Sequence, residues 1–493
     1  MKTGNPNILL IMTDQHRFDC LGATGNPDVK TPNIDRLAAD GVIYDNCFCA
    51  APFCTPSRYS FVTGLYPHQH HGKTNHSTIP RGTRTFPREL KLAGYRTKAV
   101  GKMHYTPTYL DVGFESMELA EQAGPGRFDD DYHQYLMEHG LADLHDLMDQ
   151  VNEYRVRAPQ HYYEQFGTRE SDLPEEHYST TWIGDRALDS LQAWEGEGNL
   201  LMVSFIKPHH PIDPPSPWSN MYDPRKLKPL PGWTEQCLER DLQRNRGFFP
   251  HEELKLETLQ NAMALYYGSI SQIDHHVGRL AQALQEKGMY EDTLILFTSD
   301  HGEYMGFHHM LLKSNYMYDP LSKIPLIIKF PGNRWHGIRR TELTSNVDIA
   351  PTLLRQCGIE AKDLPGKDLA AAEAERQYAL SVNLNEYMLR SQTRKLIYSR
   401  NPVQRLFFNL ETDPYEMNNL YEAPEYHDEV QSYIRKLSDM ILFETMPTSH
   451  LDDEAPVVLE EDNKRNLVDK HKIAEEWYRV RMNNFLQGSE VGN

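Results

Sequence analysis

The chain is predicted to be an α/β protein: a large, mostly parallel or mixed sheet sandwiched by helices, with a smaller C-terminal antiparallel-sheet subdomain. Three observations predict it. Continuous apolar runs recur at wide spacing, a long periodic helix lies between two of them, and after residue 376 the runs become shorter and alternate.

Residues 7–12 (NILLIM) form an uninterrupted apolar run, the pattern of a strand buried on both faces. Residues 97–100, 200–206 (LLMVSFI), 293–298 (TLILFT) and 326–328 repeat it. Met263, Tyr266, Ile270, Ile273, Val277, Leu280 and Leu284 advance in alternating steps of three and four, which predicts a helix ending at Gly288 as its C-terminal cap. Residues 369–376 turn to Ala and Glu, a helix or connector. Beyond them, LIYSR and RLFFNL predict a small antiparallel sheet, with a helix over 425–443 packed on it. The expected divisions are a catalytic domain over 1–375, a small α+β subdomain over 376–445 and an extension over 446–493. That extension is acidic, then mixed in charge, with a helical stretch near 473–485 and a role in subunit contact within a homo-oligomer. The Pro-rich stretch 208–250 reads as a long surface excursion beside the site.

With 493 residues, a sizeable core is affordable. The formal charge of −19 argues against nucleic acid or an anionic membrane as the main partner, but leaves room for a basic pocket that takes a small anion. Six cysteines in so long a chain make no disulfide framework, and Cys47-x-Cys49 lacks the spacing of a structural zinc site. The N-terminus enters a strand without a charged, apolar leader, and no apolar stretch is long enough to span a membrane. The expected location is cytoplasmic, or periplasmic or secreted if a leader was removed.

Each apolar run is followed at once by polar chemistry. NILLIM leads into Thr13-Asp14-Gln15-His16-Arg17, residues 97–100 into Gly101-Lys102-Met103-His104, LLMVSFI into Lys207-Pro208-His209-His210, and TLILFT into Ser299-Asp300-His301-Gly302. Ligands of open parallel sheets bind outside the carboxyl ends of the strands, so four such clusters can converge. Singly, each has a plainer reading: Asp14 as a helix N-cap, His209 as a surface histidine, Lys102 and Lys313 as solvated lysines. Together they weigh more. Asp14, Gln15, Asp300 and His301 offer hard oxygens and one imidazole, a set suited to Ca²⁺ or Mg²⁺, with Mn²⁺ or Zn²⁺ ranked behind them. Arg58, Lys102, His104, His209 and Lys313 would surround a tetrahedral anion beside that metal.

The remaining cluster is Cys54-Thr55-Pro56-Ser57-Arg58, continuing to Thr63-Gly64. Thr55 suits a helix N-cap and Pro56 the first helical turn, which would put Cys54 at a helix N-terminus, where an anion is favoured. Without the motif, a small buried cysteine is the default. The motif resembles the signature of the sulfatase family, within the alkaline phosphatase superfamily, with Phe61-Val62 where Leu-Leu is usual. The resemblance extends through Thr31-Pro32-Asn33-Ile34-Asp35-Arg36-Leu37, Gly101-Lys102-x-His104, Pro208-His209-x-Pro211, Ser299-Asp300-His301-Gly302, Lys313 and Asn409-Leu410-x-Thr412-Asp413-Pro414.

What the resemblance implies is specific. Cys54 would be oxidised to formylglycine by a formylglycine-generating enzyme, its partner in maturation. Asp14, Gln15, Asp300 and His301 would bind calcium together with an oxygen of residue 54. The hydrated aldehyde would attack sulfur, with Arg58 and Lys102 holding it and His104 assisting its proton transfers. Lys102, Lys313 and His308 would contact the substrate, and His209 would contact the sulfate or protonate the leaving oxygen. The substrate would be a sulfate monoester, a sulfated sugar or an aryl sulfate. His68, His70, His71 and His76 are either pocket walls or loop histidines. Gln15 stands where many sulfatases have Asp. His301 stands in place of the usual Asn, as in choline-sulfatase-like and phosphonate-monoester-hydrolase-like members. A phosphonate monoester or phosphodiester hydrolase using the same site is the alternative. A non-catalytic relative would need a lost residue, and a thiol enzyme would need a second cysteine at Cys-x-x-Cys spacing.

Overall fold

The structure is a computed structural model that describes residues 5–122, 127–371, 376–445 and Glu476. The expected extension over 446–493, with its helical stretch, lies outside the described residues apart from Glu476, as do four residues of the Ala- and Glu-rich connector. By contact the chain divides into one unit of Met1–Ile79 with Arg84–Thr448 and a second of Pro80–Thr83 with Ser449–Asn493. Two sheets lie in the first unit.

Its main sheet has nine strands: β1 (Asn7–Asp14), β2 (Val42–Phe48), β3 (Arg96–Gly101), β4 (Ser116–Leu119), β5 (Asn199–Pro208), β6 (Thr293–Ser299), β7 (Lys323–Ile324), β8 (Leu326–Lys329) and β9 (Ile338–Ser345). The order is β4-β3-β5-β1-β6-β8-β2-β7, with β9 pairing β2. Strands β4, β3, β5, β1 and β6 run parallel; β8 is antiparallel to β6 and β2, so the sheet is mixed. Every residue of β1, β5 and β6 is buried, as their unbroken apolar runs require.

Alternation along β1 divides the core. Ile8, Leu10 and Met12 face one layer with Tyr59, Phe61 and Val62 of the helix Cys54–Thr63, and Leu353 and Leu354 of the helix Ile349–Gln356. Leu9 and Ile11 face the other with Ile183 of the helix Ser179–Gln192 and Ile273, Val277 and Leu280 of the helix Leu256–Glu286. Each fully buried Leu or Ile is worth roughly 1.5–3 kcal/mol, so both layers hold the sheet strongly. The long helix begins seven residues before its first predicted apolar contact and ends as expected, with Gly288 at φ +65° two residues beyond.

A second sheet, antiparallel, comprises β10 (Ala379–Asn383), β11 (Glu386–Arg390), β12 (Arg394–Ser399) and β13 (Leu406–Asn409). The helix His427–Asp439 covers one face through Val430, Tyr433 and Leu437. The other face, through Met388, Ile397, Leu406 and Phe408, packs on Tyr304, Phe307, Met310 and Tyr318. The stretch 208–250 is less peripheral than its composition suggests. Ile212, Tyr222, Leu227, Leu230 and Phe249 are buried against the long helix, because its prolines are interspersed with large apolar side chains.

No helix among the described residues is long and apolar enough to cross a membrane. Gly101 closes β3 at φ +95°, and a Cβ there would overlap the Ser204 carbonyl oxygen of β5. Gly94 has φ +91° with nothing within 4 Å. Gly101→Ala should therefore lose more unfolding free energy in urea than Gly94→Ala, which bears only the backbone strain of about 1–3 kcal/mol. Equal losses would mean that β5 gives way without cost.

Candidate active site

Strands β1, β3, β5 and β6 end on the same edge of the sheet, and the four polar clusters meet there. Asp14 closes β1, and Asp300 follows β6. The helix Cys54–Thr63 brings in Arg58, which is 1% exposed and donates to Asp14 at 3.0 Å, Asp300 at 2.8 Å and Ser204 Oγ at 2.8 Å. It also donates to the Lys102 carbonyl. Lys102 Nζ lies 2.7 Å from Asp14. Cys54 Sγ is 3.3 Å from His301 Nε2, 3.2 Å from Lys313 Nζ and 3.7 Å from Asp14 Oδ1. Lys313 also reaches His301 Nε2 at 3.2 Å and His209 Nε2 at 2.9 Å.

Two of these residues sit where side-chain-bearing residues are uncommon. Gln15 has φ +61° and His104 φ +54°, the left-handed region that surrounding contacts must enforce. For Gln15, Tyr266 of the long helix donates to its carbonyl at 2.6 Å and accepts from Arg17 N–H at 2.9 Å. For His104, the Glu121 carboxylate accepts from its backbone N–H at 2.9 Å and from that of Met103 at 3.0 Å.

The charges are strongly interdependent. Burial alone would raise the Cys54 thiol, but Lys313, Lys102 and His301, with His104 hydrogen-bonded to the sulfur, hold it well below the usual thiol range. Burial likewise works against ionising Asp14, yet Lys102, His209 and Arg58 carry it far below the ordinary carboxylate range. Asp300 moves upward, through burial and then the neighbouring Asp14 charge. Burial pushes His209 down and Lys313 pushes it further. Its Nδ1 is 2.6 Å from the His210 carbonyl and so carries the hydrogen, leaving Nε2 as acceptor. His301 is held the same way by the Gly302 carbonyl at 3.0 Å, with Nε2 turned to the cluster. Burial and Lys313 lower His301, while Asp300 and Cys54 raise it above its ordinary value overall. An environment that favours positive charge at that ring also favours a cation beside it.

The donor set fits a hard divalent ion. Ligand atoms of Asp14, Cys54, Asp300 and His301 lie within 4.8 Å of one another, all buried. Gln15 adds an amide oxygen. Its amide nitrogen donates to Glu303, and its Oε1 is buried without a partner. An orphaned buried carbonyl is costly unless a donor or cation completes it. Glu303, lifted to about 7 by burial, also accepts from Met305 N–H and Leu312 N–H.

The structure brings together Asp14, Gln15, Cys54, Arg58, Lys102, His104, His209, Asp300, His301 and Lys313. It does not bring His308. That ring is fully buried between Phe307 and Tyr318, 2.7 Å from the Tyr415 carbonyl and 3.3 Å from Asp241, where it pins the loop that carries Lys313. His68 and His70 are buried structural histidines, bonded to Thr445 at 2.8 Å and Ser60 Oγ at 2.9 Å; His71 and His76 are exposed. The helix starts at Cys54 with Phe53 as its cap. Thr55 therefore caps nothing, and its hydroxyl donates to the His104 carbonyl at 2.8 Å. Sequence reasoning missed Glu303, Glu121, Ser204 and Tyr266. Only Glu303 had a signal, its place three residues after Asp300.

Comparison with known proteins gives the chain a family. The family model described as Sulfatase matches residues 6–359, and one described as N-sulphoglucosamine sulphohydrolase, C-terminal, matches residues 306–442. An arylsulfatase of Clostridium perfringens is 32% identical over 470 residues, covering 88% of this chain and 93% of its own. An N-acetylglucosamine-6-O-sulfatase of Bacteroides thetaiotaomicron is 25% identical, covering 89% and 86%. The solved phosphonate monoester hydrolase of Agrobacterium radiobacter superposes with a TM-score of 0.73 at 24% identity, over 88% of this chain and 95% of that one.

Arg58→Met should cost about 3–5 kcal/mol of unfolding free energy, since it leaves two buried carboxylates without their shared cation. Urea denaturation checks this, and adding Asp14→Asn should recover part of the loss. A loss below about 1 kcal/mol would mean that water already reaches the carboxylates.

Proposed function

The chain belongs to the sulfatase family and is a sulfuric ester hydrolase, and from that premise we propose that it cleaves a sulfate monoester at residue 54, matured from cysteine to formylglycine, beside a bound calcium ion. The observation that carries this reading is the Cys54 sulfur, buried between Lys313, His301 and the paired carboxylates of Asp14 and Asp300.

Asp14, Gln15, Asp300 and His301 would hold the ion, which supplies a fixed double charge to the substrate's oxygens. Formylglycine, once hydrated, supplies an oxygen nucleophile where the thiol stands. The chain's own residues do the rest. Arg58 fixes the two carboxylates at a constant separation and so shapes the ion's cradle. Lys102, held on Asp14, and Lys313, at the outer side of the sulfur, place two positive charges where the sulfuryl oxygens gain negative charge in the transition state. His104 lies against residue 54 and is assigned proton transfer there. His209 has Nδ1 committed to a carbonyl and Nε2 accepting from Lys313, which suits Nε2 to take a proton from the Lys313 ammonium and pass it to the leaving oxygen. The leaving group is an aryl alcohol or a sugar; the similarity to an N-acetylglucosamine-6-O-sulfatase supports the sugar. The same residues could serve a phosphonate monoester, a second reading favoured by His301, whose imidazole stands 3.3 Å from the sulfur.

Mass mapping of the peptide that carries residue 54 in active protein should find the aldehyde or its hydrate. Cys54→Ala should abolish turnover with little change in stability, since it truncates one side chain at a helix start. Active protein with an intact thiol would remove the formylglycine mechanism. Assayed with one aryl leaving group on three acids, the sulfate should show a higher kcat/KM than the phosphate monoester and the phosphonate monoester. A sulfate monoester brings one negative charge to a site whose cations already balance it, and a phosphate monoester brings more. Preference for the phosphonate would establish the second reading and leave the residue roles standing.

A further inference from the structure

Lys313 has two sides. One meets the Cys54 sulfur; the other walls a cavity of about 150 Å³, together with Arg155, His210, Phe248, Phe249 and His251. The cavity also continues the site through His210, whose ring stacks on His209 with centroids 4.3 Å apart. A group released from an ester held at Lys313 and His209 has this space beside it.

Its size and lining specify what fits. An enclosed space near this volume admits one six-membered ring, and an apolar one stays dry. This one is not wholly apolar. His251 is 2% exposed, and neither of its ring nitrogens has a hydrogen-bond partner. Burial holds it at about 4, so at neutral pH it offers one N–H donor and one lone pair. Gly247 permits that placement, since a Cβ there would meet the ring's Cε1 at 2.5 Å. Phe248 and Phe249, edge to face at 4.9 Å, supply apolar ring surface against which C–H groups can pack.

Charge narrows the choice. Among the described residues no acidic side chain lines the cavity, and two of its walls are Arg155 and Lys313, so a cationic alcohol is disfavoured. Arg155 is committed. It donates to the Asp149 carbonyl, approaches the Asp149 carboxylate at 3.8 Å and covers the Phe248 ring at 4.4 Å. His210 binds the same carboxylate at 2.6 Å. The lining is thus near balance, and its unmet demand is for neutral hydroxyls.

We propose that this cavity is the subsite for the leaving alcohol, that it takes a single uncharged, hydroxylated ring such as a neutral monosaccharide, and that His251 selects it by pairing with a ring hydroxyl. The inference rests on the sulfate-ester reading of the site.

The test uses the mature, metal-loaded protein, a panel of neutral monosaccharide sulfates and an aryl sulfate. Wild-type protein should turn over at least one sugar sulfate. His251→Leu should lower kcat/KM for the best sugar by at least about tenfold, while the aryl sulfate stays within about twofold. His251→Gln, which keeps a donor and an acceptor, should recover part of the sugar activity. Thermal unfolding of each variant reports whether the fold is kept. Equal loss on both substrates in folded variants, no loss on the sugar, or wild-type activity confined to the aryl sulfate would overturn the subsite alone. Wild-type protein inert toward every sulfate would overturn the sulfate-ester reading and the subsite with it.

Discussion

One buried guanidinium holds the site together. Arg58 divides its donors among groups from four strands and the turns that follow them: Asp14 of β1, the Lys102 carbonyl beyond β3, Ser204 within β5 and Asp300 beyond β6. Two carboxylates brought this close in a dry interior repel each other and resist ionising together. A fixed cation between them offsets that repulsion, and its planar fork sets where each oxygen points. The helix Cys54–Thr63 thereby positions two things at once, since Arg58 lies one turn beyond Cys54. Any shift of that helix moves Cys54 and the two carboxylates together.

The outer half of the site depends on the second sheet. Lys313 sits on a loop whose backbone enters the left-handed region at Met305, His308, His309, Leu312 and Ser314. Such a run is strained and survives only where its surroundings over-determine it. They do. Tyr304, Phe307, Met310 and Tyr318 are packed on β11, β12 and β13, His308 is tied to the Tyr415 carbonyl, and Asp319 is paired with Lys395 at 2.8 Å and Arg390 at 3.1 Å. The small sheet acts as a buttress for one lysine.

The central strands and the convergence of their ends were legible because burial on both faces leaves an unmistakable apolar run, with the polar residues displaced to its end. Strands β2 and β9 were not, because VIYDNCF and IRRTELTS carry polar residues toward the sheet's exposed side and match no simple period. Of the site, the residues whose chemistry announces itself were readable: a cysteine in its motif, carboxylates after strands, Lys102 after its glycine. Glu121, Ser204 and Tyr266 act through distant backbone and side-chain partners, and no spacing encodes that. His308 shows the opposite case, a histidine near the site in sequence whose Nε2 is tied to the Tyr415 carbonyl and whose ring is packed between Phe307 and Tyr318.

Strand β1 precedes the other strands of its sheet in the chain and lies in the middle of that sheet. It pairs Ile8 with Leu200 on one side and Asn7 with Thr293 on the other. At ribosomal rates of about 5–20 residues per second, roughly a quarter of a minute to a minute passes before its second neighbour exists. During synthesis the NILLIM segment is therefore an unpaired, sticky edge, the kind of sequence that chaperones shield. The same delay leaves Cys54, sealed in the finished protein, on open chain and within reach of other proteins until β6 arrives.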